Sequence, residues 1–147
     1  GPINEKINNA YDSGIMTPEL AFELLCEFVK IQVEIAADPH NKYALCFSVN
    51  GYTLPKDMLR PLDDDIFKSI ECPMTRLLCS YKQSDNTTAA HVICHAINTS
   101  IFAYNFTSPA TSVIEAASLG KEPNVNTQQL KQLLLNYSIS SIKAASL

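Results

Sequence analysis

A chain of 147 residues with 46% hydrophobic and 18% charged side chains has the apolar surface for one folded domain and too much of it for general disorder. Its formal net charge is −4, and its 11 Lys and Arg are scattered without a run, which argues against nucleic acid as a partner. No stretch of roughly 18 apolar residues occurs, so the sequence offers no membrane-spanning helix.

Gly1-Pro2 has the look of a tag-cleavage scar, which leaves 3–147 as a single domain and suggests a fragment of a longer protein. Residues 3–14 are polar and read as a lead-in with one helical turn. Thr17 is a good N-cap and Pro18 suits the first helical position. Leu20, Leu24, Phe28, Ile31 and Ile35 then recur at helical spacing until Asp38-Pro39, and Phe22, Leu25, Val29 and Val33 widen the stripe beyond half of the helix surface. A helix this apolar is expected to be central.

Residues 43–49 read as a strand. Asn50-Gly51 is a type I′ hairpin signal, and Tyr52-Thr53-Leu54 returns as a second strand that Pro55 stops. A short helix is expected from Pro61 to Ile70, with Asp63, Asp64 and Asp65 in its first turn and Cys72-Pro73 breaking it. Met74 to Tyr81 reads as a strand anchored by Leu77, Leu78 and Tyr81, and 83–86 as a turn. Thr87 to Phe106 is ambiguous between helix and strand; two strands separated by Asn98-Thr99-Ser100 are the favoured reading. Ser108-Pro109 opens a helix that Gly120 closes, carrying Val113, Ile114, Ala117 and Leu119. Asn126 or Thr127 caps a last helix with Leu130, Leu133, Leu134 and Tyr137, which the tail 138–147 extends or lets fray. Strands bunched between helices give an α+β fold: an antiparallel sheet of about four to five strands, with helices from both ends of the chain packed on one face.

Chemistry concentrates in His91-Val92-Ile93-Cys94-His95, with two of the three histidines and one of the five cysteines. On a helix, residues four apart share a face with Cβ atoms roughly 5–6 Å apart, close enough to share a metal; on a strand they stand about 13 Å apart, too far. A metal set would be His91, His95 and Cys94. The glutamate that follows the first histidine in zinc proteases is replaced by Val92. That set is the lesser alternative: no metal is expected, and the favoured reading is two partly buried histidines donating to backbone carbonyls.

The cysteines, Cys26, Cys46, Cys72, Cys79 and Cys94, form no C-x-x-C and read as free thiols of a cytoplasmic protein. Sequons at Asn86, Asn98, Asn105 and Asn136 favour a secreted protein only weakly. A thiol hydrolase would draw its nucleophile from Cys26, Cys46 or Cys72, its base from His91 and its orienting group from Asn105 or Asp85. Ala90–Ile93 followed by Ile101–Asn105 resembles the histidine strand and the orienting strand of papain-like cysteine hydrolases. That resemblance implies His91 as base and covers a small part of the chain.

With only four Gly, no dinucleotide fingerprint, phosphate loop or nucleophile elbow can be built, so no cofactor is expected. The run Asp63-Asp64-Asp65 lacks the alternation of a calcium loop. What remains is apolar helix surface. Leu24, Phe28 and Ile31 on one helix, and Leu130 and Leu134 on another, are the candidate contacts to another protein or to a second copy of this chain. The expected function is therefore an adaptor-like or chaperone-like interaction domain without catalysis, the cysteine hydrolase being the alternative. Size, charge and element order are also broadly similar to those of small acidic secretion chaperones, an analogy of fold alone.

Overall fold

A computed structural model describes residues 1–38, 64, 65, 67–103 and 127–147. Every regular element among them is helical. The helices are α1 (Pro2–Asp12), α2 (Pro18–Ala37), α3 (Cys72–Lys82), α4 (Thr87–Ala103) and α5 (Thr127–Ala144), with a π turn (Phe67–Glu71) running into α3. The expected α+β sheet is overturned for these residues: they contain no strand. The hairpin expected at 43–54 and the helix expected at 108–120 lie outside the described residues.

α2 is the axis. Thr17 Oγ1 accepts from the Leu20 N–H at 3.1 Å, so the expected N-cap forms. Ala21, Leu24, Leu25, Phe28, Val29, Gln32, Val33 and Ala36 are all buried. They cover more than one side, and all four other helices pack against α2.

The three strands expected between Met74 and Phe106 are two helices where described, for a reason visible in their spacing. Met74, Leu77 and Leu78 are fully buried in α3, with Tyr81 one turn on. That is the i, i+3, i+4, i+7 pattern of one helix face. In α4, Ala90, Cys94, Ile97 and Ile101 repeat it and are at most 2% exposed. Each stripe finds a helical partner, so packing overrides the β-propensity of Val92, Ile93, Ile97 and Ile101. The turn expected at 83–86 holds. Ser84 Oγ accepts from the Asn86 N–H, and Asn86 Oδ1 accepts from the Ala89 N–H, which caps α4.

Residues 2–12 form three turns of helix rather than one, and Pro2 is its first residue. α1 ends in a Schellman arrangement. Gly14 takes φ +68°, Ile15 N–H reaches the Ala10 carbonyl and Gly14 N–H reaches that of Tyr11, both at 3.1 Å. α3 ends the same way with a poorer residue, because Gln83 adopts φ 52° while Ser84 N–H bonds the Cys79 carbonyl.

Pro73 does not break the chain as expected. It sits in the first turn of α3, directly after the π turn. With no N–H, Pro73 leaves the Ser69 carbonyl, four residues back, without its helical donor. Asn4 Nδ2 of α1 donates to that oxygen at 3.1 Å. A second tie joins the same helices: Tyr11 Oη bonds Ser80 Oγ at 2.5 Å and the Arg76 carbonyl at 3.1 Å, while the Arg76 guanidinium lies 3.5 Å from the Tyr11 ring centroid.

α5 closes the far side of α2 through Leu134, Ser138 and Ile142. Lys82 Nζ donates to the Lys143 carbonyl at 2.7 Å, which serves the C-terminal end of α5. Among the described residues, no helix is long and apolar enough to cross a membrane.

Two substitutions test these local arguments by urea unfolding. Asn4→Ala orphans the Ser69 carbonyl and lowers stability by about 1 kcal/mol. Gln83→Gly removes the left-handed penalty at an exposed position and raises stability by about 1 kcal/mol.

Candidate functional site

The densest cluster of chemistry lies where the π turn meets α4. Glu71 is the last residue of that turn, and its side chain is 8% exposed. A carboxylate this buried needs partners. It finds them on one stripe of α4, because the segment from 87 to 103 is helical and His91 and His95 are therefore one turn apart. His95 Nδ1 lies 2.5 Å from Glu71 Oε1, and His91 Nε2 lies 3.6 Å from Oε2. The imidazole rings are 6.4 Å apart between centroids and inclined by 23°. Their side chains are 40% and 59% exposed for His91 and His95, so both rings open to solvent above a buried acid.

Glu71 is an acceptor, so the short contact places the proton of His95 on Nδ1 and directs its Nε2 away from the acid. The histidine pair therefore stands on a helix, where the favoured reading had put it on a strand. Its third member is not the expected Cys94, which is fully buried on the inner side of α4. Burial pushes that thiol up to about 12. Glu71 was not readable as a member. It stands 24 residues from His95 and ahead of a proline taken as a break.

Two turns beyond His91 on the same stripe sits Asn98, 0% exposed, with no partner for its Oδ1 or its Nδ2. Its sequon is therefore sealed inside the folded chain, unlike those at Asn86 and Asn136, which are exposed.

The hydrolase candidates do not gather. Cys26 lies mid-α2, where burial raises its pKa although Lys143 acts in the opposite sense. Burial also raises Cys79, with Asp85 adding to it. Raised thiols are the reverse of what a nucleophile needs. Cys72 is the exposed cysteine among those described, all of which are free thiols. Asp85 is exposed in the α3–α4 turn. Cys46 and Asn105 lie outside the described residues. The strand pair behind the papain-like resemblance is helix where described, so His91 is not presented on a strand.

The proposed contact residues sit mostly inside. Leu24 and Phe28 are 2% exposed and Leu134 is 5% exposed, all within the core, while Ile31 and Leu130 are partly buried. Among the described residues, the large apolar side chains that do face solvent are Ile15, Val92, Leu133 and Tyr137. Of these, Leu133 and Tyr137 were legible as members of an apolar stripe, but a helix wider in apolar coverage than its packing needs does not say which edge is left over.

No protein-family model matches this chain, and neither do a curated protein or a solved structure.

Alkylation of the native protein at neutral pH, read by intact mass and peptide mapping, should modify Cys72 first among Cys26, Cys72, Cys79 and Cys94. Cys94 should stay silent until the chain unfolds, since about three decades of thiolate population separate a pKa near 12 from 9.0. Asn98→Leu replaces two unpartnered polar atoms by an apolar group of similar size. Its expected outcome is unchanged or higher stability, by up to about 1 kcal/mol in urea.

Proposed function

We propose that this chain, helical in its described residues, is a protein-interaction module that works by binding rather than by catalysis. The observation that carries the reading is the outer edge of α5. Leu133 and Tyr137, one turn apart, are 59% and 55% exposed, while Leu134, Ser138 and Ile142 of the same helix are buried against the bundle. A Leu and a Tyr side by side on a helix held firmly from behind form the kind of rigid amphipathic contact that dominates binding energy at interfaces. Full burial of the Leu alone would contribute about 1.5–3 kcal/mol.

The binding surface is thereby moved from the residues the sequence suggested. Leu24, Phe28 and Leu134 build the scaffold, and the contact falls to their neighbours Leu133 and Tyr137. The partner is another protein, or a second copy of this chain, with a matching apolar recess. The raised thiols of Cys26, Cys79 and Cys94 support a module without thiol catalysis.

A photo-crosslinking side chain at position 137, compared with one at exposed Asp12, tests this in the native host. A protein joined through 137 but not through 12, and lost with Leu133→Asp at an unchanged melting temperature, is the expected result. Equal yields at the two positions would sink the reading. A crosslinked dimer of this chain identifies the partner as itself.

A further inference from the structure

We propose that His91 and His95, backed by Glu71, form a surface site for a divalent transition-metal ion of the zinc class. The inference rests on the geometry of α4 and is independent of the binding edge on α5.

Three observations meet here. Two imidazoles stand one helical turn apart on the same stripe, 6.4 Å between centroids and inclined by only 23°. That spacing is what lets a helix present two nitrogens to one ion. Both side chains are accessible, at 40% and 59% exposed. Finally, the buried carboxylate of Glu71 lies against both rings, at 2.5 Å from His95 Nδ1 and 3.6 Å from His91 Nε2. A carboxylate that takes the Nδ1 proton of an imidazole fixes its tautomer, holds the ring and makes the opposite nitrogen a better donor.

The ligand set is short. Among the described residues, no group of three or more His, Cys, Asp and Glu is disposed to close around an ion. The protein supplies the two imidazoles, and water completes the shell, as at the open position of a catalytic zinc. Cys94, the thiol nearest in sequence, is sealed in the core and stays protonated. Binding is therefore moderate in strength.

The test is titration of the metal-free protein with Zn²⁺ by calorimetry and with Co²⁺ by visible absorption. One ion per chain is expected, with His91→Ala and His95→Ala each weakening binding at least tenfold. Glu71→Gln, which keeps the shape but loses the charge, should weaken it roughly 10–100-fold. Cys72→Ser should leave it unchanged. Both histidine substitutions sit on an accessible helix face and favour helix, so folding survives them. Selective broadening of the His91 and His95 imidazole signals by Cu²⁺ gives the same answer without any variant. Saturation no tighter than about 1 mM overturns the proposal. So does binding that survives both histidine substitutions, or binding that is lost with Cys72→Ser.

Discussion

The apolar girth of α2 is the constraint on which the described bundle depends. A one-sided helix can lie on a single neighbour, whereas one that buries Leu24, Leu25, Phe28, Val29 and Val33 must be surrounded. Four helices do this, each lending its own stripe: Ile7 and Ala10 from α1, Met74, Leu77 and Leu78 from α3, Ala90, Ile97 and Ile101 from α4, and Leu134 and Ile142 from α5. Once α2 is enclosed, the faces left over are fixed as well. The outer edge of α5 keeps Leu133 and Tyr137, and the outer edge of α4 keeps His91, Val92 and His95. Both proposed surfaces are by-products of where the core had to be.

The legible part of the fold was α2. Its cap, its proline, its stripe and its central place all follow from residues 17–38 and all recur in the structure. α3 and α4 carried the same signal in weaker form. Met74, Leu77, Leu78 and Tyr81 are spaced for a helix, and so are Ala90, Cys94, Ile97 and Ile101. β-branched residues in α4, and a proline in front of α3, pulled the reading toward strands. Local preference spans about 1 kcal/mol per residue and yields to packing when a complete apolar face is available. The π turn had no sequence signal. It ends at Glu71, two residues before Pro73.

The histidine site was half visible. His91 and His95 stood out in the sequence, and their joint use depended on one unknown, the backbone beneath them. Helix settles that in favour of proximity. Glu71 was out of reach of any spacing rule, because only tertiary packing of the π turn on α4 brings it between the two rings. The same helix turns Cys94 inward, one residue from His95 in sequence and on the other side of the protein surface.

The bond from Asn4 to the Ser69 carbonyl bears on the order in which the chain assembles. It joins residues 65 apart, and the Tyr11–Ser80 bond joins residues 69 apart. Neither acceptor is in place until the turn before Pro73 and the first turns of α3 have formed. α1 is short, and an isolated helix of its length is marginal in water. It therefore gains its structure late, by docking onto a surface the rest of the chain has already built. The N-terminal helix behaves as a latch on a finished bundle.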